Sequence, residues 1–309
     1  MSFKIFKQGE QVKTECLTAV IYGEPGVGKT SVSMTTENPI LLDFDMGLQR
    51  AVNRKTAVRV DSWSDVMDLI KSKDFSSLNP NTIIIDTAGT MLDNYIAEYV
   101  KKDDPKNSRR GGELSLQGYG AIKNVFKQFM DWAKKQGKNL IFIAHATDKR
   151  DGDDTLAIPK MTGGSYDILR ESSDLIGYMY SSKNARVIDF TPKATHIGKD
   201  CAEIGLVEIP HYTEESYATF IQDLIDKTLN KMNEMGEEQQ AALETIKEYR
   251  EVVKSINHAD DANIQIDVIS EEESKVMKVQ LFNILKDHCE SIGVEYDRKT
   301  KKFQENVPA

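Results

Sequence analysis

The sequence predicts an α/β fold in which a mainly parallel β-sheet is flanked by helices and followed by a C-terminal helical appendage. From residue 17 to about residue 145, short apolar runs rich in β-branched residues alternate with helical stretches. Such alternation favours a parallel sheet with helices on both faces. Beyond residue 231, apolar residues recur at alternating steps of four and three, which is typical of amphipathic helices. We therefore predict a core over residues 1–230 and an appendage over residues 231–309.

The individual elements of the core follow from these runs. The predicted strands are residues 17–22, 40–44, 58–60, 82–85 and 140–144. The predicted helices between them are residues 27–36, 63–71, 91–101 and 119–135. Two further strands, residues 175–180 and 186–190, are expected to form a hairpin that extends the sheet in an antiparallel direction.

The appendage contains two amphipathic patterns, each with its apolar residues on one face. These residues are Ala242, Ile246, Tyr249, Val253 and Ile256 in the first pattern, and Met277, Leu281 and Ile284 in the second. The polar stretch around residues 257–263 is expected to separate the two helices. Because an amphipathic helix needs a surface that buries its apolar face, we expect the appendage to contact another protein or to cover the core.

The negative charge of the chain is concentrated in the appendage. The 309 residues carry a formal net charge of −9, and residues 231–309 hold 17 acidic and 11 basic side chains. Residues 1–230 are therefore nearly neutral. This balance argues against a broad surface that coats duplex DNA, but it allows local basic loops that bind nucleic acid.

Cysteine spacing and hydropathy exclude other classes of protein. Cys16, Cys201 and Cys289 lack C-x-x-C spacing, which argues against a disulfide framework and against a zinc module. No apolar run approaches the roughly 20 residues that span a bilayer. Residues 1–11 lack the apolar region of a signal peptide. We therefore expect a cytoplasmic protein without a membrane partner.

A phosphate-binding motif follows the first predicted strand. Residues 23–30 read Gly-Glu-Pro-Gly-Val-Gly-Lys-Thr and match the Walker A pattern G-x-x-x-x-G-K-T. The glycines let successive backbone N–H groups point at phosphate oxygens, Lys29 reaches the β- and γ-phosphates, and the Thr30 hydroxyl ligates Mg²⁺. The sequence therefore predicts ATP binding with Mg²⁺. The predicted nucleotide-binding residues are Gly23, Glu24, Pro25, Gly26, Val27, Gly28, Lys29, Thr30 and Ser31.

A second element of the metal site follows a buried apolar strand. Residues 82–87 read Thr-Ile-Ile-Ile-Asp-Thr, so a single carboxylate, Asp86, stands at the strand end. This is the Walker B pattern, in which the carboxylate holds Mg²⁺. The alternative is that Asp86 caps a helix that begins near Ala88. Beside the phosphate loop we favour a metal site formed by Asp86 and Thr30.

Hydrolysis also needs a group that activates or orients water, and two strand ends offer candidates. Thr87 rather than glutamate follows Asp86, whereas the second strand ends in Asp43 and Asp45. Residues i and i+2 of a strand share one face, so both acids are expected near the phosphates, and Asp45 is the candidate base. The alternative is that both acids cap the following turn. His145 ends a strand expected to neighbour the Walker A strand and is the candidate γ-phosphate sensor, although a lone histidine is more often structural.

The combination of these motifs resembles RecA and RadA recombinases and DnaB-type helicases. The shared features are Walker A, a carboxylate at the second strand tip, Walker B without a following glutamate, and a polar sensor. The chain is more specifically similar to phage RecA-like single-strand annealing ATPases of the Sak type, which are classed with phage AAA nucleotide-binding proteins. The similarity covers roughly residues 12–230 and is carried by residues 23–30, 38–45, 47–48, 61–63, 85–87, 118–120 and 143–145.

The resemblance implies a RecA-like P-loop ATPase core that uses Mg²⁺ and ATP and assembles as a homo-oligomeric ring or filament. It further implies that the protein binds single-stranded DNA and promotes strand annealing in phage recombination, together with a single-strand-binding protein. The second-strand acid of the family corresponds to Asp45 and the sensor to His145. In DnaB-like relatives a Lys-x-Arg pair reaches a neighbour's nucleotide; Lys199 matches the lysine, but Cys201 replaces the arginine. This replacement argues against fast, motor-like turnover, because one donor to the transition-state charge is absent.

Two charged loops are candidate contacts to DNA. Residues 101–112 carry five basic and two acidic side chains, and their Arg109-Arg110-Gly111-Gly112 end favours a flexible cationic loop. Residues 147–165 directly follow the candidate sensor, so the nucleotide state would be transmitted to them. Their candidate DNA-binding residues are Lys149 and Arg150. For each loop the alternative is a solvated charged surface that binds no DNA.

Two other functions fit the same motifs. A DnaB-like helicase or packaging motor would turn over many ATP molecules and separate strands. An ATP-gated interaction switch would recruit a protein through the appendage without binding DNA. Kinase activity is less favoured, because no arginine-rich lid follows the core. We therefore expect an ATPase that single-stranded DNA stimulates.

Overall fold

The β-branched runs of the sequence form the strands of one large, mainly parallel sheet. The computed structural model describes residues 12–51, 53–151, 154–161, 164–182 and 185–305, so residues 1–11, where no signal peptide is expected, lie outside it. The sheet belongs to a unit of residues 14–232, and a second unit contains residues 233–305. The strands of the sheet are β1 (Thr18–Gly23), β2 (Pro39–Asp43), β3 (Thr56–Arg59), β4 (Thr82–Asp86), β5 (Asn139–Asp151), β6 (Asp154–Pro159), β7 (Leu175–Ser182), β8 (Ala185–Asp189), β9 (Lys199–Asp200) and β10 (Leu206–Ile209).

Helices that connect these strands cover both faces of the sheet. Serine side chains begin three of them, because the hydroxyls of Ser62, Ser72 and Ser115 accept hydrogen bonds from N–H groups of the first helical turn. The α-helices are α1 (Lys29–Ser33), α2 (Trp63–Leu69), α3 (Lys73–Leu78), α4 (Ala88–Thr90), α5 (Ala97–Asp103), α6 (Leu116–Lys135), α7 (Gly164–Ser172) and α8 (Phe220–Val253). One π-helical turn (Met91–Ile96) and short 3₁₀ turns (Leu48–Arg50, Pro105–Asn107, Glu215–Tyr217) complete the unit.

The strand order places β1 in the middle of the sheet. The order is β10-β8-β7-β1-β5-β4-β2-β3. The strands from β7 to β3 in this order run parallel, while β8 pairs with β7 and β10 pairs with β8 in antiparallel fashion. β6 pairs with the outer part of β5, and β9 pairs with β7. The predicted parallel sheet and its antiparallel extension are both confirmed.

The sheet is buried on both faces because successive side chains of its strands point in opposite directions. On one face, Tyr22 and Phe142 pack with α6, whose Phe126 ring lies edge-on to Phe142 with centroids 5.4 Å apart. On the other face, Ile21 and Ile143 pack with the apolar residues of α1 and α8. A shift by one residue would move each of these large side chains to the opposite face, where it would have to pack against different helices, so their packing favours the observed register.

The strand register brings the predicted site residues to one edge of the sheet. Gly23 at the end of β1 is aligned with His145 on β5, and Asp43 at the end of β2 is aligned with Asp86 on β4. The carboxyl ends of these parallel strands therefore meet beside the segment that joins β1 to α1. The expectation that the His145 strand neighbours the Walker A strand is confirmed.

The structure corrects the interpretation of residues 147–165 as a loop. β5 was predicted to end near residue 144, but it continues to Asp151 and forms a hairpin with β6. Polar side chains at residues 147–151 hid this part of the strand, which is paired along its length with β6. Residues 152–153 and 162–163 lie outside the described part of the chain.

Residues 108–114 form a closed turn instead of an open flexible loop. The Arg109 N–H donates to the Glu113 carbonyl at 2.8 Å, and the Gly112 N–H donates to the Arg109 carbonyl at 2.9 Å. Ser108 and Leu114 are joined by a β-bridge. The Arg109 and Arg110 side chains are exposed on this turn.

The second unit has an apolar core of its own. It contains the end of α8, two further helices, α9 (Ala259–Glu271) and α10 (Lys275–Ser291), and a hairpin of β11 (Val294–Asp297) and β12 (Lys302–Glu305). Its core side chains include Tyr249, Leu285 and Phe303. α8 was predicted to begin beyond residue 231 but begins at Phe220, and α9 and the hairpin were not predicted. Among the described helices, none has both the length and the apolar content needed to cross a membrane.

Candidate nucleotide-binding site

The segment between β1 and α1 has the backbone conformation of a phosphate-binding loop. Gly26 and Gly28 have φ values of +85° and +97°, which residues other than glycine rarely adopt. Gly28 is the N-cap residue of α1, so its left-handed conformation sets where the helix begins. The glycines of the motif are therefore required by the turn that aims the following N–H groups.

Lys29 lies inside this loop. Its Nζ donates hydrogen bonds to the carbonyl oxygens of Gly23 and Glu24, both at 2.9 Å. The residue is only 6% exposed, and burial lowers the pKa of its ammonium while Asp86 opposes that shift. Phosphate oxygens are stronger acceptors for an ammonium than neutral carbonyls, so a bound polyphosphate would compete for these donors.

The hydroxyl of Thr30 and the carboxylate of Asp86 are in direct contact. Thr30 Oγ1 donates to Asp86 Oδ2 at 2.6 Å. Burial raises the pKa of Asp86 to about 6; the nearby Asp45 and Asp43 carboxylates add to this effect, and the Thr30 hydrogen bond opposes it. A hydroxyl and a carboxylate side by side are oxygen ligands of the kind that Mg²⁺ prefers, with phosphate and water oxygens completing its coordination. The residues present therefore fit Mg²⁺.

Asp45 enters the same cleft from the end of β2. Thr87 Oγ1 donates to Asp45 Oδ2 at 3.1 Å, and His145 Nε2 lies 3.6 Å from the same oxygen. The cleft has a volume of about 370 Å³. It is lined by Pro25, Gly26, Gly28, Lys29, Thr30, Ser31, Asp45, Gly47, Ala51, Asp86, Thr87 and His145.

Asp43 and Asp45, which are equivalent in the sequence pattern, have different environments. The Asp43 carboxylate is buried and accepts hydrogen bonds from the N–H groups of Gly47 and Leu48, both at 3.1 Å. It therefore caps the turn after β2, as the alternative interpretation proposed for both acids. Only Asp45 lines the cleft.

Comparison with known proteins agrees with this geometry. A family model described as AAA domain matches residues 16–202, which is more than half of the chain. The chain belongs to the AAA domain family. No curated protein matches it. Among solved structures, the crystal structure of a KaiC-like protein from the hyperthermophilic archaeon Pyrococcus horikoshii OT3 is similar, with 12% identity, coverage of 65% of this chain and 99% of that chain, and a TM-score of 0.35.

Family and topology together confirm the RecA-like P-loop fold that the sequence predicts. The AAA domain places the Walker A strand next to the strand of His145, and the Walker B strand follows on the other side of that strand. The protein is therefore a nucleotide-binding P-loop NTPase. The individual roles of Lys29, Asp45 and Asp86 stay predictions.

Lys199 lies apart from the cleft of its own AAA domain. Its strand, β9, pairs with the first residues of β7, where Lys199 is opposite Ile176, whereas the Walker A loop follows the last residues of β1. Lys199 Nζ donates to the carbonyls of Arg170 and Glu171 at 3.3 Å and 3.2 Å. These bonds satisfy carbonyls at the end of α7. A role for Lys199 at a neighbouring subunit's nucleotide stays a prediction.

The AAA domain also contains two site residues that the motifs did not reveal. Thr87 positions Asp45, and Arg186 on β8 places its guanidinium against Gly28 of the Walker A loop. Thr87 had a sequence signal, since it directly follows Asp86. Arg186 had none, because only the pairing of β7 with β8 brings it to the loop.

The candidate DNA-binding residues lie outside the cleft. Lys149 and Arg150 are exposed on β5, opposite Leu156 and Thr155 of β6, and as neighbours in one strand they point to opposite faces of the hairpin. Arg109 is exposed on the turn before α6. Only the hairpin is continuous with a strand that reaches the cleft.

The raised pKa of Asp86 predicts a pH-dependent difference in stability. The carboxyl titrates near its ordinary value of 3.8 in the unfolded chain and near 6 in the fold. Asp86 therefore stabilises the fold below the unfolded pKa, and this contribution is lost as the pH rises through 6. In Asp86→Asn the amide oxygen can still accept the hydrogen bond from Thr30. We expect the free energy of unfolding of this variant, without nucleotide at pH 8, to be about 2 to 3 kcal/mol higher than that of the wild type.

Urea unfolding at pH 8, 6.5 and 5 measures this difference. The gap between variant and wild type should shrink as the pH falls, because the wild-type carboxyl becomes protonated. Asp61→Asn is the matched control, since the side chain of Asp61 is 79% exposed. A gap that is the same at all three pH values would contradict the assignment of a buried, charged Asp86.

Proposed function

We propose that the protein is a Mg²⁺-dependent ATPase whose ATP binding is coupled to single-stranded DNA. The observation that carries the ATPase proposal is the 2.6 Å contact of Thr30 with Asp86 beside Lys29, in one cleft at the carboxyl edge of the sheet. Structural acids near a loop do not need this combination of a buried ammonium, a hydroxyl and a carboxylate. A nucleoside triphosphate with a divalent cation does need it.

The binding step follows from the Walker A geometry. The N–H groups at the start of α1 and the Lys29 ammonium would bind the phosphate oxygens, and Thr30 and Asp86 would hold Mg²⁺. Bound there, Mg²⁺ supplies positive charge that offsets the charge developing on the phosphates. Because Asp86 is buried, water screens its charge interactions less than it would at the surface.

The chemical step is assigned to the acid that lines the cleft. Asp45 accepts a hydrogen bond from Thr87, which leaves its second carboxylate oxygen to orient the attacking water and take its proton. His145 Nε2 lies close to Asp45, and among the described residues His145 Nδ1 is buried without a hydrogen-bond partner. His145 is therefore suited to respond to the γ-phosphate.

The coupling to DNA is supported by the strand that carries His145. The basic residues Lys149 and Arg150 follow His145 on β5, so the hairpin and the cleft share one strand. The turn with Arg109 and Arg110 offers a second cationic surface. The resemblance to Sak-type ATPases supports strand annealing in phage recombination, in a ring or filament and with a single-strand-binding protein, as the purpose of this coupling.

Steady-state ATP hydrolysis with and without single-stranded DNA tests the proposal. We expect DNA to stimulate turnover at low salt and to stimulate it less at moderate salt, because phosphate contacts release counterions. The Lys29→Ala variant controls for contaminating ATPases. ATP hydrolysis rates that are the same with and without DNA at both salt concentrations would contradict the DNA coupling and favour an ATP-gated interaction switch.

Charge-neutralised variants identify which surface contacts DNA. Binding of a fluorescent oligonucleotide is measured over a series of salt concentrations for Lys149→Gln/Arg150→Gln and for Arg109→Gln/Arg110→Gln. Each lost phosphate contact should reduce the slope of log K against log salt by about 0.7. Arg250→Gln, an exposed arginine of the second unit, is the matched control and should keep the slope. Unchanged slopes in both double variants would contradict both surfaces.

A further inference from the structure

Arg186 lies against the Walker A loop on the side opposite the acids. A Cβ atom built on Gly28 would lie 2.6 Å from Arg186 Nη1, so the guanidinium occupies the space next to the Gly28 backbone. Gly28 lines the nucleotide cleft. The arginine therefore contacts the same loop that Lys29 fills from within.

The sheet register explains how Arg186 reaches this position. Gly23 at the end of β1 is aligned with Met179 on β7, and Arg186 is aligned with Ser181. Ser181 is two residues beyond Met179, so Arg186 lies about 7 Å past the end of β1, beyond the carboxyl edge of the sheet. This is the edge at which the phosphate loop stands.

The guanidinium lies beside a buried phenol. Tyr217, which is 1% exposed, is adjacent to Arg186. Burial raises the pKa of the Tyr217 phenol, and the adjacent Arg186 opposes this, so the phenol stays neutral at physiological pH. A neutral phenol beside the guanidinium does not cancel its charge.

The charge of Arg186 has no protein counter-ion in the described part of the chain. No carboxylate there forms an ion pair with it. The residue is only partly exposed. A partly buried guanidinium without a carboxylate partner, next to a phosphate loop, is suited to an anionic ligand.

The strand order indicates which part of the nucleotide Arg186 faces. Asp45, Asp86 and His145 lie on β2, β4 and β5 or at their ends, all on one side of β1, whereas β8 lies on the other side. The γ-phosphate end belongs with the acids and the histidine. The α-phosphate end of the same ligand would then lie on the side of β7 and β8.

We propose that Arg186 binds the α-phosphate of the nucleotide and so holds ADP and ATP alike. This inference rests on the proposed ATP binding and adds a binding residue on the nucleoside side of the loop. Arg186 makes its contact before and after hydrolysis. It therefore contributes to nucleotide affinity and not to the chemical step.

Calorimetric titration of ADP and of a non-hydrolysable ATP analogue, each with Mg²⁺, tests the proposal. Arg186→Gln should weaken both ligands by the same factor, about 10- to 100-fold, since a charge-assisted hydrogen bond is lost. Arg186→Lys should recover part of the loss, and Tyr217→Phe should show a smaller loss with the same ADP-to-ATP ratio. In hydrolysis assays, Arg186→Gln should raise KM and leave kcat within about threefold, because uniform binding is removed.

Several outcomes would overturn the proposal. Arg250→Gln is the matched surface control, and a loss of affinity equal to that of Arg186→Gln would deny a specific contact. A loss for the ATP analogue alone would move Arg186 to the γ-phosphate, and a loss of kcat alone would make it a group of the chemical step. If the melting temperature without nucleotide falls while the shift caused by ADP stays unchanged, Arg186 only supports the loop.

The proposal and the proposed function fail in distinguishable ways. Wild-type protein that binds ADP with the same affinity as Arg186→Gln contradicts the role of Arg186 alone. Wild-type protein that binds neither nucleotide contradicts both. The Arg186→Lys and Tyr217→Phe variants conserve size, so they keep the test decisive if Arg186→Gln does not fold.

Discussion

Lys29→Ala is expected to lower ATP hydrolysis by about 100- to 1000-fold, because it removes a charged donor from the phosphates in the transition state. The ammonium is buried in the Walker A loop and makes two hydrogen bonds of 2.9 Å to carbonyls of that loop. Lys29 is the only lysine or arginine that lines the cleft described for the first unit, and Arg186 contacts the loop from outside that lining. A steady-state phosphate-release assay measures the loss, and titration of a fluorescent ATP analogue separates binding from turnover.

Lys55→Ala is the matched control for this prediction. Lys55 Nζ also donates to a backbone carbonyl, that of Thr36 at 2.6 Å, but Lys55 does not line the cleft. Its removal should leave turnover near the wild-type value. Hydrolysis by Lys29→Ala at the wild-type rate would contradict the assignment of the site, whatever its melting temperature.

Asp45→Asn is expected to keep ATP affinity and to lower kcat by about 100- to 10,000-fold, because an amide cannot take a proton from water. Asparagine has nearly the same size, and its oxygen still accepts the hydrogen bond that Thr87 donates to Asp45 Oδ2. The variant should therefore bind ATP and hold it without turnover. Equilibrium binding and single-turnover hydrolysis by the same preparation give the two quantities.

Asp43→Asn distinguishes the chemical role from the structural one. The Asp43 carboxylate caps the turn at Gly47 and Leu48, so its replacement should lower the melting temperature more than the rate per folded molecule. Asp45→Asn should show the reverse. Equal single-turnover rates for Asp45→Asn and wild type would move the base role to another acid.

The features that could be predicted from the sequence are those that depend on local residue types at fixed spacing. Gly28 adopts a φ of +97°, and only glycine does so without strain, so the Walker A loop is visible as a pattern. Asp86 ends a strand whose residues are all buried, so the apolar run before Asp86 identifies the Walker B strand in the sequence. The alternation of such runs with helices predicted the fold class.

Contacts between distant positions could not be predicted in this way. Asp43 and Asp45 have the same local pattern in the sequence. After the turn at Met46, whose φ is +55°, the Asp43 carboxylate caps the turn and is buried, whereas the Asp45 carboxylate lines the cleft. The position of Arg186 at Gly28 depends on the pairing of β7 with β8. Neither the difference between the two acids nor the contact of Arg186 with Gly28 can be predicted from residue spacing.

Helix α9 shows why the appendage was only partly predicted. Its buried residues near the start, Ala259 and Ala262, are small and are followed by polar neighbours, so the stretch looked like a linker. The helix is stabilised by tertiary contacts. Asn263 exchanges two hydrogen bonds with the backbone of Phe303, at 3.0 Å and 2.8 Å. The residue pattern within α9 does not predict these contacts.

Because β5 is one continuous strand, a movement at one point of it is carried along the rest of the strand. Its residues up to His145 pair with β4 or β1, and residues 146–151 pair with β6, so no unpaired residue interrupts it. At about 3.3 Å per residue, the segment beyond His145 is roughly 20 Å long. A tilt of about 10° at His145 would then displace the backbone of Asp151 by about 3.5 Å, close to the rise of one residue along a strand. In the proposed function, a small movement of His145 at the terminal phosphate would therefore become a larger movement at Asp151.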